Sequence, residues 1–137
     1  MLQPHGILEA SLYVSDIARA DEFYSRVLRL ASIRKKIERE VAYRLGETVL
    51  ILFRPDATRQ QTNFPAHSAE GTGHLAFRVC QQEIEAWRAH LQNCGVAIEK
   101  DITWPRGGRS IYFRDPDGNC VELATANVWP EPLSAVK

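Results

Sequence analysis

Glu122 lies in the run Cys120-Val-Glu-Leu-Ala124, where strict alternation puts Val121 and Leu123 on one face and Cys120 and Glu122 on the other. A carboxylate turned away from an apolar face meets either solvent or a cavity that wants a negative charge. Two other side chains stand in the same relation to their own strands. Glu9 falls opposite Leu8, Ala10, Leu12 and Val14, and His74 falls opposite Leu75, Phe77 and Val79. Carboxylates and imidazoles are the groups that take up and return protons at a reacting centre. What such residues can do depends on the elements that carry them.

Residues 7–14 alternate as a strand, Ser15-Asp16 offers an N-cap, and Ile17, Ala20, Phe23, Tyr24, Val27 and Leu28 recur at helical spacing. After a basic stretch from Ile33, Val41–Leu45 and Glu47–Phe53 flank Gly46 as a short hairpin. Residues 54–72 hold two prolines and no sustained apolar period, so 56–72 reads as a linker or flap between modules. The pattern then begins again. A strand at 73–79 precedes a helix predicted over Gln82–Asn93 with Gly95 at C′, and Val96–Glu99 with Ile102 marks a further strand. The loop Trp104-Pro-Arg-Gly-Gly108 leads into the last hairpin, whose two apolar runs flank Asp115-Pro-Asp-Gly-Asn119. Proline presets φ at the second turn position, and glycine takes the positive φ that a tight reversal requires.

Strand, helix and three strands thus occur twice, at 7–55 and 73–126, ahead of a tail at 127–137. The fold class is α+β, with paired βαβββ modules in one domain, sheets curled into a cup and helices outside. Glu9, His74 and Glu122 lie on the helix-free inner faces. Ser11, Tyr13, Phe53, Ala76, Arg78 and Cys120 share their parity and read as pocket lining. Aligning the last strands of the modules sets Ile51 opposite Glu122.

With 137 residues, 45% hydrophobic and 25% charged, the chain suits one compact domain. Seventeen basic against seventeen acidic side chains leave no field to gather polyanions, which argues against a nucleic-acid partner. No apolar run approaches a membrane span, and nothing at the start resembles a signal peptide, so a cytoplasmic protein without a membrane partner is expected. Cys80, Cys94 and Cys120 are odd in number and widely spaced, which suggests reduced thiols rather than a disulfide scaffold or a cysteine-based zinc site.

Three segments carry a resemblance: Leu12-Tyr-Val-Ser-Asp16 with Phe23-Tyr24 and Leu28; Gly73-His-Leu-Ala-Phe77; and Tyr112-Phe-Arg-Asp-Pro-Asp-Gly-Asn119 followed by Val-Glu-Leu123. On these the chain resembles the vicinal oxygen chelate superfamily of glyoxalases, fosfomycin-resistance enzymes, bleomycin-resistance proteins and extradiol dioxygenases. The resemblance implies metal ligands from the first and last strand of each module, here Glu9, His74 and Glu122. The first position, commonly His or Gln, is Glu9, and Ile51 stands where some members supply a fourth ligand. An imidazole with two carboxylates suits one hard or borderline divalent ion (Mn, Fe, Zn, Ni or Mg) and leaves positions for water and substrate. Glu122 and Glu9 would be the catalytic carboxylates, with Glu9 doubling as base. Arg106 and Arg109 around Gly107-Gly108 would clamp an anionic substrate, and Trp104 would shield the mouth. The implied function is a metal-dependent glyoxalase-like enzyme of lyase, isomerase or transferase type, acting on a small molecule through two vicinal oxygens, in a homodimer. The alternatives are a non-haem Fe(II) dioxygenase and a metal-free drug-binding resistance protein.

Overall fold

The computed structural model describes residues 1–131, so the part of the expected tail beyond Glu131 lies outside the described residues. The chain divides into two compact units: residues 1–73 with the turn Asp115–Asn119, and residues 74–114 with the chain from Cys120 onward.

In the first unit β1 (Glu9–Tyr13) pairs parallel with β4 (Thr48–Phe53), which pairs antiparallel with β3 (Glu40–Leu45), and β3 with β2 (Ser32–Lys36), giving the order β1-β4-β3-β2. Helix α1 (Ile17–Val27) is started by Asp16, whose carboxylate accepts the Arg19 amide hydrogen at 2.9 Å. Its stripe of Ile17, Ala20, Phe23, Tyr24 and Val27 is buried, with Tyr24 stacked on Tyr43 at 6.3 Å. The Tyr43 hydroxyl donates to Asp21 at 2.7 Å, so the helix is tied to β3 by a polar bond as well as by apolar contact. Leu8 was expected on the core face but is 73% exposed, because the strand begins only at Glu9.

The turn Asp115–Asn119 shows why its residue types occur together. Asp115 Oδ1 accepts from the backbone amides of Asp117 (3.0 Å) and Asn119 (2.8 Å), while its Oδ2 accepts from the Tyr24 hydroxyl and the Asn119 amide, both at 2.9 Å. Asn119 in turn accepts from the Gly73 amide at 2.7 Å and donates to the Tyr13 carbonyl at 3.2 Å. Gly118 takes φ +85, the left-handed value the reversal needs. Asp117 reads from the sequence as a turn residue alone, yet it also accepts the Ser15 amide hydrogen at 3.0 Å.

The second unit repeats the plan, with β5 (His74–Val79), β8 (Cys120–Thr125), β7 (Arg109–Arg114) and β6 (Lys100–Thr103) in the order β5-β8-β7-β6. The pairings again run parallel, antiparallel, antiparallel. Ile84 and Leu91 of helix α3 (Ile84–Asn93) are buried, as are Ile111, Phe113, Val121 and Leu123 of β7 and β8. Paired βαβββ modules therefore stand as expected. Boundaries moved locally: residues 81–83 form a 3₁₀ turn ahead of α3, and the strand expected around 96–99 runs from Lys100 to Thr103. The stretch read as featureless holds a short helix, α2 (Pro55–Arg59), with Pro55 at its first turn where a missing amide hydrogen costs nothing.

Candidate functional site

The two sheets share one register. Ser11 pairs with Ile51 between β1 and β4, and Ala76 pairs with Glu122 between β5 and β8. Glu9 and His74 therefore occupy equivalent places, two residues before those pairs, and Ile51 and Glu122 are equivalents, as the sequence alignment implied.

In the second unit Glu122, buried on β8, accepts at Oε2 from the Ser110 hydroxyl at 2.7 Å, and Ser110 Oγ accepts from Trp104 Nε1 at 2.9 Å. The indole can only donate, so the Ser110 hydrogen is directed onto the carboxylate and the relay fixes the Glu122 rotamer. His74 is fixed from its other side. Its Nδ1 lies 3.0 Å from the carbonyl oxygen of Cys120, which can only accept, so Nδ1 carries the hydrogen. Nε2 lies 3.2 Å from Glu122 Oε1, and without a proton of its own it would meet the carboxylate as a second acceptor. Two acceptors at that distance repel unless a cation lies between them, and proton or metal would serve. Tyr112, cross-strand neighbour of Glu122, stacks on the His74 ring at 6.2 Å and 25°. Burial and the nearby Glu122 charge push its phenol above the ordinary range, so it keeps its hydrogen at neutral pH.

His74, Tyr112 and Glu122 line a cavity of about 590 Å³ whose walls include Ala76, Arg78, Trp104 and Trp129. The donor set suits a divalent ion. An imidazole with its second nitrogen bonded to a carbonyl, beside a carboxylate held by a hydroxyl, has the outer support that metal ligands need. Among the described residues no three His, Cys, Asp or Glu side chains are gathered to hold a metal ion, so the pair His74 and Glu122 is what the second unit brings together.

The remaining expected residues fall as follows. Glu9 stands exposed at the start of β1 in the first unit, with Ser11 also exposed. The Tyr13 hydroxyl bonds His67 Nδ1 at 2.5 Å, and the His67 ring sits edge-on over Phe53 at 5.0 Å. Cys120 takes part through its carbonyl. Arg78 and Trp104 line the cavity. Arg106 reaches the Val128 carbonyl at 3.4 Å, and Arg109 is engaged by Asp101 at 3.2 Å and Glu85 at 3.6 Å. Sequence reasoning missed Ser110, Tyr112 and His67. Parity along β7 was the available signal for the first two, since both alternate onto the Glu122 face; His67 had none.

A duplicated βαβββ fold with an imidazole and a carboxylate on paired strands of one copy defines a class of small α+β proteins. The chain belongs to the Glyoxalase/Bleomycin resistance protein/Dioxygenase superfamily, whose family model matches residues 6–123. It is 31% identical to the metallothiol transferase FosB of Staphylococcus haemolyticus, over 90% of this chain and 85% of that one. It is 26% identical to the fosfomycin resistance protein FosX of Listeria monocytogenes, over 84% and 77%. Among solved structures, lactoylglutathione lyase from Agrobacterium tumefaciens superposes with a TM-score of 0.88 at 32% identity, covering 92% of this chain and 97% of the other. No helix of the described residues is long and apolar enough to cross a membrane.

Proposed function

We propose that the protein is a divalent-metal-dependent enzyme of glyoxalase-like type that binds a small substrate through two neighbouring oxygens, with His74 and Glu122 as ligands and Glu9 as the third. The observation that carries this reading is His74 Nε2 lying 3.2 Å from Glu122 Oε1 while Nδ1 is taken up by the Cys120 carbonyl, two metal-ligating atoms brought to one point of the cavity. A bound ion supplies a Lewis acid that polarises a substrate oxygen. The chain's own residues do the rest. Ser110 and Trp104 hold Glu122 in place, and Tyr112, protonated at neutral pH, can donate to a substrate oxygen in the cavity. Trp104, Tyr112 and Trp129 supply aromatic walls against which the apolar body of a substrate can pack.

The names of the relatives, a metallothiol transferase and a lactoylglutathione lyase, support transferase or lyase chemistry. All three cysteines are free, which fits a reducing cytoplasm, and the exposed Ile7 and Leu8 ahead of β1 suit burial in a homodimer.

The test is metal analysis of the purified, metal-replenished protein beside Glu9→Gln, His74→Ala and Glu122→Gln. One ion per chain, lost with His74→Ala and Glu122→Gln and weakened with Glu9→Gln, is expected. A protein that takes up no stoichiometric ion, and binds small molecules equally well after all three changes, is instead a metal-free binder.

A further inference from the structure

Residues 59–72 of the first unit, which read from the sequence as a linker or flap, run between two fixed points. Before them Thr58 is buried, with its hydroxyl 3.4 Å from the carbonyls of Arg54 and Pro55. After them Gly73 donates its amide to Asn119, and a Cβ there would lie 2.9 Å from Leu12, so that end is packed tight. Between the anchors every residue from Thr62 to Thr72 is exposed. A segment that buries so little apolar surface belongs to the least stable part of a fold. Gly71 holds φ +79 with nothing within 4 Å of where a Cβ would lie, which leaves the chain room to pivot beside the Gly73 anchor.

The contacts that hold the segment down are polar and sparse. The His67 amide donates to the Thr58 carbonyl at 3.2 Å and closes residues 58–67 into a loop. That loop meets the sheet at two places. Gln61 Oε1 accepts from Arg39 at 2.6 Å, while the Gln61 amide group donates to the Pro65 carbonyl at 2.6 Å. The His67 ring is bonded to the Tyr13 hydroxyl at 2.5 Å and stands edge-on to Phe53. Both contacts end on fixed partners, because Arg39 is also bonded to Glu40 at 2.9 Å and lies 6.0 Å over the Phe53 ring. Phe53 and Tyr13 belong to the cluster with Ala42 and Ile51, and alternation along β1 puts Glu9 on the same face as Tyr13.

We propose that residues 59–70 are a lid on the first sheet, shut by His67 on Tyr13 and by Gln61 on Arg39, whose two latches release together and bare the aromatic end of the face that carries Glu9. The lid stands on contacts within the first unit alone. Only the statement that this face serves a reacting centre rests on the function proposed above.

Joint release separates a lid from a loop that frays at its tip. Hydrogen exchange of the His67 amide is followed by NMR in the full chain, beside the rate at which tetranitromethane nitrates each tyrosine. Tyr24 and Tyr43 are buried, and the half-buried Tyr112 of the second unit is the internal reference. Tyr13→Phe keeps the ring and removes one hydrogen bond, so the His67 amide should exchange about tenfold faster while the amides of β4 keep their rates. His67→Gln, at an exposed position, repeats the reading from the other end as an equal rise in Tyr13 nitration. Gln61→Ala alters neither Tyr13 nor His67, yet should speed both the His67 amide and the nitration of Tyr13 by about tenfold, with Tyr112 unmoved. The proposal is overturned if Tyr13→Phe leaves the His67 amide as before, if His67→Gln leaves Tyr13 nitration as before, or if Gln61→Ala leaves either rate unchanged. It is equally overturned if β4 exchanges along with the loop, which would make the segment part of the core. A chain that binds no metal would refute the function proposed above and leave these rates as they are.

Discussion

Where the second sheet carries Glu122, the first carries Ile51, and the surroundings differ to match. Ile51 packs with Ala42 and Phe53 in a buried cluster that Tyr13 and Val49 close. Glu122 is bonded to Ser110 and faces His74. The backbone frame is the same in both, strand for strand and register for register. Duplication of a scaffold fixes where side chains point and leaves their chemistry free, so one copy can become a packed surface while the other gathers polar groups.

Exchanging the two residues tests that reading most severely. Ile51→Glu places an unpaired carboxylate among Ala42, Phe53 and Val49 and should cost about 3–5 kcal/mol in urea unfolding. A cost near zero would mean the first sheet tolerates charge and the contrast is empty. Next comes the turn that belongs to the first unit. Asp115→Ala removes an acceptor used by Tyr24, Asn119 and two backbone amides, and the buried donors left behind should cost roughly 2–4 kcal/mol by the same measurement.

In the second unit a steric change should act at the wall of the site. A Cβ on Gly108 would lie 2.7 Å from the Val128 backbone nitrogen, so Gly108→Ala must displace the chain that leads to Trp129. A loss of about 1–3 kcal/mol is expected, together with a shifted Trp129 signal. Ser110→Ala leaves the fold in place but frees Glu122, and metal affinity should fall about 10- to 100-fold while melting temperature moves little. Unchanged affinity would remove Ser110 and Trp104 from the site.

The smallest effect compares a carboxylate from each unit. Asp21 is partly buried, which by itself raises its affinity for a proton, but bonds from Lys35, Tyr43 and Ser25 outweigh this and hold it below the usual range. Asp101 is likewise held low, by Arg88 and Arg109 against a burial penalty. A carboxyl with a depressed native pKa contributes stability that is fully present above its unfolded value, near 3.9, and fades as pH falls through the native value. Asp21→Asn and Asp101→Asn should each reduce stability at pH 7 by at most about 1 kcal/mol and flatten the loss of stability below pH 4. Equal losses at pH 7 and pH 3 would show that these pairs contribute through packing alone.

The sequence by itself determined the repeated βαβββ order, the hairpin turn and the faces of Glu9, His74 and Glu122, because periods of 2 and 3.6 and turn chemistry are local and act on each segment alone. Only the tertiary structure decided which of those side chains meet. His74 and Glu122 come from strands paired in parallel across 46 residues of chain, and their contact depends on a register that no single segment encodes. The same holds for partners recruited from elsewhere: Arg109 read as a substrate clamp, yet it is engaged by Asp101 and Glu85. Long polar side chains choose among whatever charges the fold brings within reach, and that choice is made in space.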